Sequence, residues 1–175
     1  MNTFTVKTIS NSFSALLLFG CAPLLAAPAS FGDFCRTLAG HWQGPSAQAQ
    51  ETPKTVSTEV LCSADGRQLV ISVSEAARHS FSETWWFRLQ QEEQIWLTYY
   101  DGVGEDKRQR FSLYRRGDGY SLLGEGKLDD RPALIQLLFE PKGQGWQWLQ
   151  QSQFLDDDAE QYRFYRGISL QPERP

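Results

Sequence analysis

Aromatic side chains are concentrated in the middle and late segments of this 175-residue chain. Aromatic walls with a few polar groups suit a small hydrophobic or amphipathic ligand, and an arginine among them suits its polar head group. The same rings are equally suited to filling a small protein interior completely, and the sequence leaves both interpretations open. The residues that we predict to bind a ligand are Trp85, Phe87, Arg88, Tyr99, Arg110, Trp146 and Trp148, with Arg88 or Arg110 at the head group.

Glu83 is the best candidate for a buried acid, because it interrupts a face that is otherwise apolar. Paired with Arg88 or Arg110, it would anchor a ligand carboxylate or form an ion pair in the core, and the structural role is the ordinary one. The sequence contains no Gly-x-Ser-x-Gly elbow, metal-ligand cluster or phosphate-binding loop. We therefore predict a binding protein rather than an enzyme, with no catalytic residues, no cofactor and no metal.

The charge balance argues against a nucleic-acid partner. The formal net charge is −4, and no basic stripe of the kind that phosphate binding requires is present. Arginines cluster only between Arg108 and Arg116, and Glu105 and Asp106 offset them. Alternating arginines on a strand are typical of a solvated face.

The first 29 residues have the pattern of a secretory signal peptide. Lys7 is their only charged side chain, an apolar run extends over 13–25, and small residues follow as far as Ala29. The apolar run is too short and too interrupted for a good membrane span. We expect a periplasmic or secreted protein without a transmembrane span, its single domain covering 30–175.

Cys21 leaves two possibilities for processing. The run Leu18-Phe19-Gly20-Cys21 resembles a bacterial lipoprotein box, in which the cysteine becomes the lipidated N-terminus. Phe19 fits that box poorly, so the favoured interpretation places Cys21 in the discarded signal. Two cysteines, Cys35 and Cys62, then remain, and in an oxidising compartment an even pair indicates a disulfide.

Short segments of alternating polarity make up the rest of the chain, and turn residues separate them. This rhythm predicts an all-β protein, an antiparallel up-and-down barrel of about 8–10 strands. A short helix over 31–39, capped by Asp33 and ended by Gly40, precedes the strands, and a tail over 169–175 follows them. The predicted strands are His41–Ala47, Thr55–Cys62, Gln68–Ser74, Ser80–Leu89, Ile95–Tyr100, Lys107–Arg115, Tyr120–Gly126, Ala133–Glu140, Trp146–Leu155 and Glu160–Ile168.

The alternation also divides the side chains between the inside and the outside of the barrel. The inward set includes Tyr162 and Phe164 on the last strand. Trp86, Trp96 and Tyr100 then face outward, although the adjacent pair Trp85-Trp86 does not by itself reveal which ring is inside. Exposed tryptophans on neighbouring strands indicate a partner surface. The alternative function is thus an envelope inhibitor or assembly factor with a filled barrel, using these rings and the 101–107 loop.

The start of the first strand, Gly40-His-Trp42, resembles the opening of calycins, the superfamily of lipocalins and fatty-acid-binding proteins. The resemblance implies a barrel that carries a small hydrophobic ligand. It further implies that Gly40 lets the chain bend into the strand and that Trp42 closes one end. A late arginine, Arg163 or Arg166, packs over that indole in this scheme.

The run from Leu38 to Gly44 is also similar to the opening of nitrobindin-like haem barrels. Those barrels ligate iron through a histidine late in the chain, whereas this chain has only His41 and His79. Haem binding in that mode is therefore not expected. A lone histidine at the start of a strand is ordinarily exposed, so His79 is not predicted to be a metal ligand.

Overall fold

The computed structural model describes residues 29–75, 82–157 and 161–173. Within these ranges, ten antiparallel strands form a closed barrel and one short helix precedes the first strand, which confirms the predicted fold class. The proposed signal segment, Cys21 and His79 lie outside the described residues, apart from Ala29. The elements are α1 Phe31–Leu38, β1 Gly40–Gln48, β2 Lys54–Cys62, β3 Gln68–Glu75, β4 Ser82–Leu89, β5 Ile95–Tyr100, β6 Lys107–Arg116, β7 Gly119–Leu128, β8 Arg131–Lys142, β9 Gly145–Phe154 and β10 Arg163–Pro172.

Each strand pairs with its neighbours in sequence, and β1 pairs with β10 to close the cylinder. Closure pairs each described strand on both sides and so reduces the edge available to pair with another chain. Gly44 permits a close approach at this seam, because a Cβ atom there would collide with the carbonyl oxygen of Ser169. No helix in the described ranges is long and apolar enough to cross a membrane.

The last strand differs from the prediction in length and in phase. It continues to Pro172 instead of ending at Ile168, because Gln171 and Pro172 pair with β1. An irregularity in the pairing between Phe164 and Arg166 shifts the register with β9. Phe164, predicted to face inward, is consequently 47% exposed, whereas Arg166 is buried inside the barrel.

Helix α1 closes one end of the barrel. Ser30 caps it, in place of the predicted Asp33, by accepting a hydrogen bond from the Asp33 backbone N–H at 3.3 Å. The helix buries one apolar face, and a disulfide between Cys35 and Cys62 ties it to the end of β2. The cross-link spans 27 residues, so it removes substantial freedom from the unfolded chain.

Phe34 is the centre of the packing beneath the helix. It is fully buried, and its ring centroid lies 5.0 Å from Phe139, 5.2 Å from Tyr120 and 6.3 Å from Phe87. Aromatic pairs at these separations and tilts add to the free energy gained from burial. The helix end of the barrel is therefore filled by side chains.

Candidate functional site

The opposite end of the barrel is open and contains a cavity of about 910 Å³, which we call the cup. Its walls combine apolar side chains with polar ones from β4 to β10. Leu97, Phe111, Ile135 and Leu137 supply apolar surface, and Gln109 and Ser152 supply polar surface. The arrangement suits a molecule that has both kinds of surface.

Arg166 lies at the floor of the cup, with only 8% of its side chain exposed. Its Nη1 donates to Glu83 Oε2 at 2.6 Å and to the Tyr99 hydroxyl at 3.3 Å. Its Nε donates to Gln150 Oε1 at 2.9 Å. Three strands thus hold one guanidinium in place, and we call Arg166, Glu83, Tyr99, Gln150 and Trp85 the floor cluster.

Aromatic rings surround the guanidinium. Its central carbon lies 4.3 Å from the ring centroid of Trp85, 4.9 Å from that of Tyr99 and 5.3 Å from that of Trp148. The rings also contact each other, with Trp85 4.4 Å from Tyr99 and 4.8 Å from Trp148. Cation–π contacts of this kind are strongest when the cation is desolvated. The rings of Trp85, Tyr99 and Trp148 form a layer, which we call the Trp85 layer, and Trp85 borders both the packed end and the cup.

Glu83 is partly buried, with 13% of its side chain exposed, and its partner is neither Arg88 nor Arg110. Besides Arg166, the Trp85 indole N–H donates to its Oε2 at 3.3 Å. Burial raises the pKa of the Tyr99 phenol, and the neighbouring Glu83 carboxylate acts in the same direction. The floor cluster therefore contains one cation, Arg166, and one carboxylate, Glu83. Arg166 and the Trp85 indole both donate hydrogen bonds to that carboxylate.

Part of the cup wall lies where β6 and β7 no longer pair. Their ladder runs from Arg116 and Gly119 only as far as Ser112 and Leu123. The remaining parts of both strands, which include Gln109 and Gly126, contribute to the cup. Along that stretch the backbone ladder gives way to a side-chain hydrogen bond, which Gln109 Nε2 donates to the Gly124 carbonyl oxygen at 3.5 Å.

The loop after β5 lies at the mouth of the cup. The Asp101 carboxylate accepts hydrogen bonds from the backbone N–H groups of Gly104, at 2.9 Å, and Val103, at 3.0 Å. These two bonds, foremost that of Gly104, lower the pKa of the Asp101 carboxyl. Lys107 Nζ lies 3.8 Å from the same carboxylate and 5.8 Å from the Tyr99 ring centroid. The mouth is thus ordered by local bonds and carries paired charges.

A second, small cavity of about 20 Å³ lies on the other side of the Trp85 layer. It has room for about one water molecule. Trp146 and Trp148 line it, together with Phe87. Thr58 Oγ1 and Trp148 Nε1 are buried there without a hydrogen-bond partner among the described residues. The packed end of the barrel therefore has no space for an organic ligand.

The structure distributes the predicted ligand residues over three environments. Trp85 and Tyr99 belong to the floor cluster, whereas Phe87, Trp146 and Trp148 lie in the packed interior. Arg88 and Arg110 are on the outer face of the wall, where Arg88 covers Trp86 at 4.2 Å and Arg110 covers Trp96 at 5.6 Å. Arg110 nevertheless borders the cup where β6 and β7 are unpaired.

The calycin resemblance implied that Gly40, Trp42 and a late arginine close one end of the barrel. Gly40 has φ +146°, a conformation that favours glycine, and the Trp42 indole donates to the Leu38 carbonyl at 3.0 Å. Trp42 is half-buried beneath α1. Arg166 stacks on the floor-cluster rings, and Arg163 lies 5.2 Å from the Phe154 ring, so the structure pairs each late arginine with a ring other than Trp42.

Sequence reasoning assigned no ligand role to Arg166, Gln150, Gln109 or Ser152. A signal for three of them exists, because inward positions change from apolar to polar toward the open end of both strands. On β9 the inward series Trp146, Trp148 is followed by Gln150 and Ser152, and on β6 Phe111 is preceded by Gln109. Among the described residues, no group of three or more His, Cys, Asp and Glu side chains is placed to hold a metal ion.

Comparison with known proteins supports the fold. No family model matches the chain, and no curated protein matches it. Among solved structures, the crystal structure of Rv2717c from M. tuberculosis aligns with 85% of this chain and 100% of its own, with a TM-score of 0.52 and 16% sequence identity. At this identity the similarity concerns the barrel architecture alone.

Proposed function

We propose that this protein is an exported barrel that binds one small hydrophobic or amphipathic molecule in the cup. The observation that carries the proposal is the cup itself, about 910 Å³ at the open end of a barrel whose other end is packed. Binding pockets for small molecules have about 300–1,000 Å³ and join apolar walls to a few well-placed polar groups. The resemblance to calycins at Gly40 and Trp42 belongs to the same proposal.

The geometry of the cup gives the ligand an orientation. An apolar body would lie against Leu97, Phe111 and Leu137, and a polar group would reach the floor cluster, where Arg166 supplies hydrogen-bond donors. This modifies the role first given to Arg88 and Arg110, which face outward. Burying the apolar body contributes about 25 cal/mol per Å² of surface removed from water.

Export to the periplasm or the medium, with removal of 1–29, is part of the proposal. The disulfide between Cys35 and Cys62 supports it, because structural disulfides persist in oxidising compartments and are rare in the cytosol.

The test uses the neutral fluorescent probe N-phenylnaphthylamine. We expect saturable binding of one equivalent to the purified protein, with quenching of tryptophan emission because Trp85 lies at the cup floor. Ser152→Phe, which fills the cup, should weaken binding at least about tenfold. Gln153→Phe adds the same ring at the adjacent position outside the cup and should leave binding unchanged. Absent binding, or equal weakening by both variants, would refute the proposal.

A second candidate is a protein-binding module of the cell envelope. The observation that favours it is the outer face of β4–β6, where Arg88 and Arg110 cover Trp86 and Trp96 and Tyr100 is 42% exposed. Aromatic and arginine side chains are typical of binding hot spots. This candidate predicts that an envelope extract yields one dominant partner, which Trp86→Ser loses and Ser152→Phe retains.

A further inference from the structure

We propose that the cup selects an uncharged amphiphile, whose polar group is a hydrogen-bond acceptor such as an ester carbonyl or a hydroxyl, over a free carboxylate. The inference rests on the proposed function, since it names the ligand class of the same cavity. Its basis is the charge of the floor cluster, where the guanidinium that a carboxylate would seek is already paired with Glu83 at 2.6 Å.

The hydrogen bonds of Arg166 show which donors remain for a ligand. A guanidinium has five N–H donors. Nε is bound to Gln150, and Nη1 is bound to Glu83 and Tyr99, whereas Nη2 makes no hydrogen bond within 29–75, 82–157 and 161–173. Nη2 thus leaves two N–H groups of a cup-lining side chain for a neutral acceptor.

An anionic head group would meet Glu83 at the same place. Only 8% of the Arg166 side chain and 13% of the Glu83 side chain are exposed, so water screens the floor weakly. Two carboxylates would then share one guanidinium, and the second would be desolvated beside a like charge. A neutral acceptor uses the same N–H groups without that repulsion.

Charges at the mouth do not reverse this preference. Lys107 is shared with Asp101, and Arg110 covers the outer ring of Trp96. The other charged groups that border the cup are Arg108, Glu125 and Lys127, which are exposed and have mixed signs. Exposed charges of this kind contribute little to the binding free energy of a charged ligand, because solvent and salt screen them. The floor, where screening is weakest, decides the selectivity.

The experiment compares laurate with its methyl ester, which has the same chain and no charge. Each displaces N-phenylnaphthylamine from the purified protein at neutral pH, below the concentration at which it aggregates. We expect the ester to bind at least about tenfold more tightly. Laurate binding equal to or tighter than the ester overturns the inference while leaving the cup as a binding site. Failure of every probe to bind overturns the proposed function instead.

Glu83→Gln sharpens the comparison, because it frees Arg166 to pair with the ligand. We expect this variant to bind laurate at least about tenfold more tightly than the wild type, and the ester within about threefold. Glu59→Gln makes the same chemical change at an exposed position on β2 and should leave both affinities unaltered. An unchanged preference in folded Glu83→Gln contradicts the inference. If this variant does not fold, the wild-type comparison alone decides.

Discussion

The two halves of the barrel are built from the same strands but differ in what fills them. Under α1, aromatic rings meet around Phe34 and leave a cavity of only about 20 Å³. Beyond the Trp85 layer, polar side chains replace apolar ones at inward positions and leave about 910 Å³. One barrel thus has a packed interior at one end and an open cavity at the other.

The largest expected difference between the halves comes from the same substitution made in each. Phe34→Ala leaves a closed void among packed rings and should cost about 4 kcal/mol of unfolding free energy. Phe111→Ala removes an equally buried ring from the cup wall, where the space joins an open cavity, and should cost about 2 kcal/mol. Urea denaturation measures both. Equal losses would mean that the halves are packed alike.

Removing the disulfide should have the next largest effect, because it anchors the helix that closes the packed end. Because the two cysteines are 27 positions apart in sequence, Cys35→Ala with Cys62→Ala should lower the unfolding free energy by about 3–4 kcal/mol. The same unfolding curves, recorded for wild type with and without a reductant, provide the control. Retained affinity for N-phenylnaphthylamine in the folded double variant would show that the cup does not depend on this anchor.

Breaking the floor ion pair should cost less, since the pair borders the cup. Arg166→Met leaves the Glu83 carboxylate without its cation and should lower the unfolding free energy by about 2–3 kcal/mol. Adding Glu83→Leu removes the unpaired charge and should recover part of that loss, as a double-mutant cycle by urea denaturation will measure. Strictly additive losses would show that the two side chains do not interact.

The smallest expected effect concerns alkaline pH. Burial raises the pKa of Tyr99 in the folded protein, so the fold favours the protonated phenol. Its contribution to stability is complete below the unfolded pKa of about 10 and is lost as pH rises through the higher folded value. Stability measured from about pH 9 to pH 11 should therefore fall less steeply in Tyr99→Phe than in wild type. Tyr100→Phe, at the next and exposed position, is the matched control.

The strands and the barrel were predictable because each element carries its own signal. Period-two alternation and turns such as Asp101-Gly102 mark the strands, and a helical face that includes Phe31 and Phe34 marks α1. The same alternation also excludes Arg88 from a site with Trp85 and Phe87, since it lies on the opposite face of β4. The structure accordingly places Arg88 over the outward-facing ring of Trp86.

The floor of the cup was not predictable in the same way. Arg166 shares the inward phase of Ile168 and Leu170, whereas the shift in pairing places Phe164 outside the barrel. The contact of Arg166 with Glu83 joins positions 83 residues apart, which depends on closure of the whole barrel. Likewise, cavity volume follows from how rings pack in three dimensions, so the sequence left filled and hollow interiors open.

We expect a ligand to bind in the cup and nowhere else in the barrel. Amide chemical shifts of the isotope-labelled protein, titrated with N-phenylnaphthylamine, test it most directly. Binding in the cup should give saturable shifts at Leu97, Gln109 and Ser152 and leave the residues around Phe34 unchanged. Shifts confined to the outer face at Trp86 and Trp96, or centred on the rings beneath α1, would contradict it.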